Sequence, residues 1–90
     1  MAVSRNVIVA NQEGLHLRAV TVLVRTARQF ASTKVELVRD GLRVECTDTL
    51  RLLTIGAEQG AEFRIEADGP DAQAAVDVVA GLFETNFGEN

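Results

Sequence analysis

The chain has 90 residues, of which 47% are hydrophobic, with a formal net charge of −4 and one cysteine. This length fits a single small domain over residues 1–90, and the composition excludes a disordered chain, an internal disulfide and a nucleic-acid site based on excess positive charge. No apolar run reaches the roughly 18 residues of a membrane span and the N-terminus lacks a secretory signal pattern, so we expect a cytoplasmic protein that does not bind membranes.

The first two predicted elements are a strand and an amphipathic helix. Short, β-branched residues dominate 3–10, which predicts a strand. After Gly14, apolar residues recur at steps of three and four, which predicts a helix from about residue 16 to about residue 30. The residues on its expected buried face are Val20, Leu23, Val24, Ala27, Phe30 and Ala31.

A hairpin is predicted next. Polar and apolar residues alternate over 34–38 and again from Leu42 to Cys46, and Asp40-Gly41 between the two runs favours a tight turn. Cys46 shares the apolar side of its strand with Leu42 and Val44. We therefore interpret Cys46 as a small buried hydrophobe and not as a reactive thiol.

A short second helix follows the hairpin. Thr47, Asp48 and Thr49 carry side-chain oxygens of the kind that cap the N-terminus of a helix. The apolar residues in this helix are Leu50, Leu52, Leu53 and Ile55. Gly56 and Gly60 bracket the loop that comes after it.

A strand and a third helix complete the order βαββαβα. Residues 61–67 alternate again, and Asp68-Gly69-Pro70 predicts a helix start, because proline fits the first helical turn. The helix is expected to run to about residue 86, with an apolar face made of Ala72, Ala75, Val76, Val79, Leu82 and Phe83. This order, with a polar side on each strand, predicts an α+β fold in which helices cover one face of an open, mainly antiparallel sheet.

The single histidine, His16, is expected at the first residue of the first helix. A helix start has backbone N–H groups without partners and a partial positive charge, so it favours a bound anion. If a ring nitrogen accepted a phosphoryl group there, these donors and the nearby Arg18 would contact its oxygens. The residues alone leave open that His16 is a surface residue or a weak cap. One His and one Cys make a poor ligand set, so we expect no metal site.

The segment GLHLRAVTVLVRTA, residues 14–27, resembles the active-centre segment of the HPr family, whose motif reads Gly-Leu-His-Ala-Arg-Pro-Ala. HPr proteins are the histidine-containing phosphocarriers of the phosphoenolpyruvate-dependent sugar phosphotransferase system. LRLLTIGAEQGAEFRIEADGPDAQAAV, residues 50–76, is similar to the family's second helix, following turn, last strand and start of the last helix. The resemblance implies an open-faced β-sandwich, a four-stranded antiparallel sheet covered by three helices.

The resemblance also implies a function. In this family, enzyme I, charged by phosphoenolpyruvate, phosphorylates the histidine on Nδ1, and the group passes to the A domain of a sugar permease or to a regulatory A-type protein. His16 is then the phosphoacceptor and Arg18 its companion, in a monomeric carrier without turnover or cofactor of its own. Leu17, Leu50 and Leu53 fall where the family docks its partners. An alternative for Leu53 is a place in the core.

Three positions depart from the family pattern. Ala19 replaces a proline, with a modest expected effect, since alanine is also a good helix former. Glu13 brings a carboxylate to the turn, which we expect to repel a phosphoryl group or slow its acceptance. Asp48 stands where many members carry a regulatory serine, so kinase control there is not expected. Asp48 is then either a plain N-cap or a fixed imitation of the phosphorylated serine.

Two other functions stay open at this point. One is a binding module that keeps the fold and the docking face but carries no regular phosphoryl flux. The other is an ordinary split-βαβ interaction domain in which His16 is incidental. Within the carrier class, the sequence does not separate a sugar-uptake branch from a nitrogen-related or regulatory one.

Overall fold

A computed structural model describes residues 2–55 and 57–88, which form four strands, three α-helices and a C-terminal 3₁₀ turn. In chain order, the elements are β1 (Ala2–Ile8), α1 (Leu17–Arg28), β2 (Lys34–Arg39), β3 (Leu42–Glu45), α2 (Thr49–Thr54), β4 (Glu62–Asp68), α3 (Ala72–Glu84) and the 3₁₀ turn (Asn86–Gly88). Gly56 lies outside the described residues. Each predicted element is present and in the predicted order.

The strands form one antiparallel sheet in the order β1-β4-β2-β3. β4, the last strand in the chain, pairs with β1 and β2, with Phe63 opposite Val7 and Ile65 opposite Leu37. All four side chains are buried. Because side chains alternate between the two faces of a strand, these pairs share the face that the helices cover. The predicted open-faced sheet with helices on one side is confirmed.

The core lies between the sheet and the three helices. Its largest fully buried side chains are Phe83, Leu23, Leu37, Leu52 and Ile65. At the C-terminal end, the ring of Phe87 packs edge-on against that of Phe83, with the centroids 4.9 Å apart. Aromatic rings favour this arrangement because the positive edge of one ring meets the negative face of the other. The 3₁₀ turn is thereby anchored to α3.

The outer face of the sheet carries a network of ion pairs. Arg43 donates hydrogen bonds to Glu66 at 2.7 Å and to Glu36 at 3.2 Å, and Arg64 donates to Glu66 at 2.7 Å. The hydrogen bond from Arg43, reinforced by that from Arg64, lowers the pKa of Glu66, since both favour the charged carboxylate. This ladder joins β2, β3 and β4 across the face that the helices leave open.

The hairpin turn between β2 and β3 confirms the prediction from Asp40-Gly41. Both residues have positive φ angles, 50° for Asp40 and 81° for Gly41. Two consecutive residues in this region make a turn whose twist matches that of the flanking strands. Aspartate and glycine are among the residues that adopt this conformation most readily.

The first helix is shorter than predicted. α1 begins at Leu17, so His16 is the N-cap and not the first helical residue, and α1 ends at Arg28. Phe30 and Ala31 therefore lie beyond the helix, where Phe30 is only half-buried and Ala31 is exposed. Phe30 still packs against the core, as predicted. The placement of Ala31 on the buried face was wrong, because the helical spacing that would carry it inward stops before it.

Two further expectations differ from the structure. Leu42 was predicted on the buried side of β3 but is exposed; it pairs with Arg39, so a charged residue occupies the neighbouring strand at this corner of the sheet. Pro70 was predicted in the first turn of α3, but the N-cap is Asp71. The Asp71 N–H donates to Thr33 Oγ1 at 3.0 Å, which ties the helix start to the segment before β2.

Cys46 is fully buried, as its position in the alternating pattern predicted. Removal from water destabilises the thiolate and raises the pKa of the Cys46 thiol to about 12. None of the helices in residues 2–55 and 57–88 has the length and apolar character that crossing a bilayer requires.

The unfolding free energy of the protein at high pH should depend on the burial of the Cys46 thiol. An unfolded cysteine ionises near pH 8.5, so the raised pKa stabilises the fold below that pH and this contribution is lost as the pH rises toward 12. The difference in unfolding free energy between wild type and Cys46→Ala should change by about 2 kcal/mol between pH 8 and pH 10, in favour of the variant. Urea denaturation at both pH values measures it, and a difference that does not change with pH would contradict the prediction.

Candidate functional site

A tight turn over residues 11–14 leads the chain from β1 toward α1. Asn11 is buried, and its Nδ2 donates to the carbonyl of Gly14 at 2.6 Å. In the backbone, the Gly14 N–H donates to the carbonyl of Asn11 at 3.1 Å. These two hydrogen bonds cross the turn in opposite directions and fix the point from which α1 starts.

Gly14 is packed directly against the loop before β4. Its φ angle is +70°, and a Cβ added to it would lie 2.3 Å from the carbonyl oxygen of Ala57. The next residue, Leu15, donates its N–H to that same carbonyl at 3.0 Å, and its side chain is buried. Only glycine fits this close approach, so the turn and the Ala57 loop are held at a fixed distance.

His16 caps α1 with its own ring. Its backbone is extended (φ −82°, ψ 178°), and Nδ1 accepts a hydrogen bond from the Arg18 N–H at 3.2 Å. The carbonyl of His16 accepts the first helical hydrogen bond, from the Val20 N–H at 2.9 Å. Nδ1 therefore points its lone pair at the positive end of the helix, among the N–H groups of the first turn.

Glu13 lies beside the other ring nitrogen. Its Oε2 is 3.5 Å from Nε2 of His16, and the exposed fractions of the two side chains are 75% and 24%. The expected repulsion assumed a carboxylate next to the accepting nitrogen. The structure places the carboxylate at Nε2 instead, while Nδ1 faces the helix.

Arg18 borders an open cleft on the same side of the molecule. Glu13, Gln59 and the 3₁₀ turn, through Asn86 and Gly88, line the cleft with it. Within residues 2–55 and 57–88, the Arg18 guanidinium forms no ion pair. The Arg18 side chain is exposed two residues after His16, and its guanidinium carries five N–H donors that can bind an anion.

The next residue, Ala19, is fully buried. It continues the first turn of α1 without a break, as expected for alanine in place of the family's proline. Across residues 2–55 and 57–88, no group of three His, Cys, Asp or Glu side chains is assembled in a way that would hold a metal ion.

The three leucines expected at the docking face are all exposed. The exposed fraction is 62% for Leu17, 72% for Leu50 and 38% for Leu53. The alternative that placed Leu53 in the core is wrong, since Leu52 fills that position and is fully buried. Neighbouring residues on a helix face different directions, so one of the pair points outward.

Asp48 is the N-cap of α2. Its carboxylate accepts a hydrogen bond from the Arg51 N–H at 3.2 Å. This is the contact that the plain-cap interpretation requires. That Asp48 also imitates a phosphorylated serine stays a prediction.

The sequence did not reveal two residues that build the site. Asn11 follows the strand predicted over 3–10, and no sequence pattern indicates that its amide supports Gly14. Ala57 contributes through its backbone carbonyl, which any residue carries. An asparagine three residues before a glycine is a weak turn signal that points to the first of these contacts.

Comparison with known proteins decides the family. A family model described as "PTS HPr component phosphorylation site" matches residues 3–85. This chain belongs to the HPr family. It is thus a member of the phosphocarrier family of the phosphotransferase system, as the resemblance implied.

Relatives in the HPr family match over nearly the whole chain. Identity to the phosphocarrier protein HPr of Treponema pallidum is 34% over 87 residues, covering 97% of this chain and 98% of that protein. Identity to the phosphocarrier protein NPr of Proteus mirabilis is 31% over 86 residues, covering 96% of each. A multiphosphoryl transfer protein of Haemophilus influenzae is 30% identical over 84 residues, which make up 17% of its length.

Solved HPr structures confirm the fold. The structure of HPr-C-His from Thermoanaerobacter tengcongensis superimposes with a TM-score of 0.91 at 27% identity, covering 98% of both chains. HPr from Bacillus anthracis gives a TM-score of 0.82 at 24% identity, covering 89% of this chain and 94% of that one.

Replacing Gly14 should damage the site and the fold together. Gly60→Ala is the matched control, since Gly60 also has a positive φ but no atom within 4 Å of an added Cβ. We expect Gly60→Ala to lose about 1 to 2 kcal/mol of unfolding free energy through backbone strain alone. Gly14→Ala should lose about 3 kcal/mol, because the Ala57 carbonyl must also move. Equal losses in urea denaturation would show that the close approach has no energetic weight.

Proposed function

We propose that this protein is a phosphocarrier in which His16 accepts a phosphoryl group on Nδ1 from phosphorylated enzyme I. The group then passes to A-type domains of sugar permeases or to regulatory A-type proteins. The observation that carries the proposal is the contact of Nδ1 with the Arg18 N–H at the start of α1. It orients one ring nitrogen toward a set of anion-binding donors.

The chemistry follows from that orientation. The Nδ1 lone pair attacks phosphorus, a P–N bond forms, and the bond between phosphorus and the donor breaks. The N–H groups of the first turn then donate to the phosphoryl oxygens, as helix N-termini do with anions. The Arg18 guanidinium adds opposite charge. Transfer onward is the reverse, with the electron pair returning to Nδ1.

The site lacks what a self-sufficient enzyme needs. The His16 side chain is 24% exposed, and its neighbours Glu13 and Arg18 line an open cleft, so the ring is not enclosed. An enclosed site strengthens electrostatic stabilisation and protects reactive intermediates from hydrolysis. Enclosure must come from the partner, which supports a carrier without turnover of its own.

The surface near His16 supports a partner that is apolar in part and acidic at its edge. Leu17, next to His16, and Leu50 and Leu53 on α2, which contacts α1, are exposed, and exposed apolar area of this kind supports a docking site. The basic residues on α1 and α2 are Arg18, Arg25, Arg28 and Arg51, whereas neither helix contains an acidic residue. The positive charge of these helices contrasts with a chain whose net charge is −4, and it steers an acidic partner toward them.

A second candidate is a regulatory binding module that uses the same docking surface without phosphoryl flux. The fixed carboxylate of Asp48 at the start of α2, close in sequence to Leu50, is the observation that favours it. The two functions differ in whether the protein needs His16.

Incubation with phosphoenolpyruvate, magnesium and enzyme I tests the carrier. Wild type should gain one phosphoryl group in intact mass, and acid treatment should remove it, because phosphoramidate bonds of histidine are acid-labile. His16→Ala should gain none, and Arg18→Ala should be phosphorylated more slowly, by about tenfold, since a charged hydrogen bond is lost.

The same mixtures separate the two candidates. If wild type gains no phosphoryl group from an enzyme I of the same organism, the carrier function is wrong. Binding to an effector that is unchanged by His16→Ala would then support the binding module. Phosphorylation of His16→Ala would place the acceptor at another residue.

Truncating Leu50 should weaken docking without affecting stability. Leu50→Ala removes a side chain that is 72% exposed, so the unfolding free energy should stay within about 0.5 kcal/mol. Affinity for enzyme I, measured by calorimetry, should fall about tenfold. Ile8→Ala is the control, because Ile8 is 54% exposed but lies on the sheet face that the helices leave open. Equal affinity for the two variants would contradict this docking surface.

A further inference from the structure

The two nitrogens of the His16 ring have different neighbours. Nδ1 accepts from a backbone N–H of α1, whereas Nε2 faces the Glu13 carboxylate at 3.5 Å. The first contact uses the backbone N–H of residue 18, so it does not depend on the side chain at that position. The second depends on the residue that this chain carries at position 13.

We propose that Glu13 is a positioning residue that reserves Nδ1 for the phosphoryl group. This inference rests on the proposed function. The 3.5 Å contact with Nε2 is not a hydrogen bond, so Glu13 acts through its charge, in two ways: the negative carboxylate favours the ring proton on Nε2, and it keeps an anionic phosphoryl donor away from Nε2. In this proposal Glu13 assists phosphorylation at Nδ1, in contrast to the obstacle expected from the sequence.

The proton on Nε2 is what makes Nδ1 the nucleophile. In the neutral ring one nitrogen carries the proton and the other the lone pair, and the partner of the protonated nitrogen selects the tautomer. Here the carboxylate favours a proton on Nε2, and the Arg18 N–H favours a lone pair on Nδ1. When Nδ1 attacks phosphorus the proton stays on Nε2, and the ring becomes positive beside Glu13. When the group leaves, the electron pair returns to Nδ1 and the same tautomer is restored.

The backbone holds Glu13 in place for this role. It precedes Gly14, whose contacts with Asn11 and Ala57 leave the turn little freedom. The carboxylate itself is 75% exposed, so water screens its field. Exposed charge pairs have modest effects, which correspond to about two- to fivefold in a rate or a product ratio.

The test uses phosphoramidate as a small-molecule donor, so that no partner protein is involved. Its P–N bond breaks as the ring nitrogen attacks, and ammonia leaves with the bonding pair. The variants are Glu13→Gln, which removes the charge, and Glu13→Ala, which also removes the polar side chain. Glu58→Gln is the matched control, because Glu58 is exposed in the loop packed against Gly14 and no ion pair joins it to His16 within residues 2–55 and 57–88.

Phosphorus-31 and nitrogen-15 NMR identify which ring nitrogen is phosphorylated and which carries the proton beforehand. In wild type and Glu58→Gln, we expect phosphorylation on Nδ1 and the proton on Nε2. In both Glu13 variants, the ratio of Nε2 to Nδ1 product should rise about two- to fivefold, and the Nε2–H tautomer should lose population. A merely structural role for Glu13 would change stability without moving either ratio.

The possible results distinguish a failure of the Glu13 proposal from a failure of the proposed carrier function. Wild type and Glu13 variants with the same product ratio and the same tautomer would overturn the role of Glu13 and leave the carrier function intact. Failure of wild type to be phosphorylated at His16 would overturn both. A rise of the Nε2 product in Glu58→Gln equal to that in Glu13→Gln would also overturn it, because a general charge effect would then be sufficient.

Discussion

The close approach of Gly14 to the Ala57 carbonyl is the constraint on which the site depends. The Leu15 N–H donates to that carbonyl, so the turn before α1 is tied to the loop before β4. The absence of a Cβ at Gly14 is what lets the two segments meet. This contact fixes the position of Leu15, and His16, the next residue, is the N-cap of α1. The reactive ring is therefore positioned by backbone groups far apart in the sequence.

This arrangement gives a fixed imidazole on an open surface. The backbone fixes the direction of Nδ1, and the packing of α1 against the core fixes the helix whose N–H groups it meets. Solvent reaches the ring nevertheless, and the apolar surface at Leu17 and Leu50 is left uncovered. Rigid positioning without enclosure is consistent with the proposed carrier function, in which each partner would complete the site in turn.

The charge of the molecule is divided between two faces. On the open face of the sheet, Glu66 and its arginine partners satisfy one another and hold strands together. On α1 and α2, arginines such as Arg25 and Arg28 have no acidic neighbours within their helices. The exposed arginines of the helical face therefore contrast with the paired charges of the ladder on the other face. The net charge of −4 does not show this uneven distribution, because it sums the charges of both faces.

The local patterns predicted the elements well and failed where an element ends. Period-two alternation and an Asp-Gly turn found the hairpin, and helical spacing found α1, because both signals come from residues adjacent in sequence. The same spacing carried the helix too far, to about residue 30 instead of Arg28, since hydrophobic periodicity does not show where the helix ends. Leu42 was misplaced for a similar reason: alternation gives its side of the strand, but Arg39 on the neighbouring strand makes that corner polar.

The sequence by itself determined the order of elements, the histidine at a helix start and the family, because each of these is encoded in short stretches or in whole-length similarity. Only the tertiary structure decided that β4 lies between β1 and β2, that Leu53 faces outward, and that Glu13 stands at Nε2 and not at Nδ1. These are contacts between segments, or choices between two directions of a side chain. Their outcome depends on how the whole core packs, which no local pattern specifies.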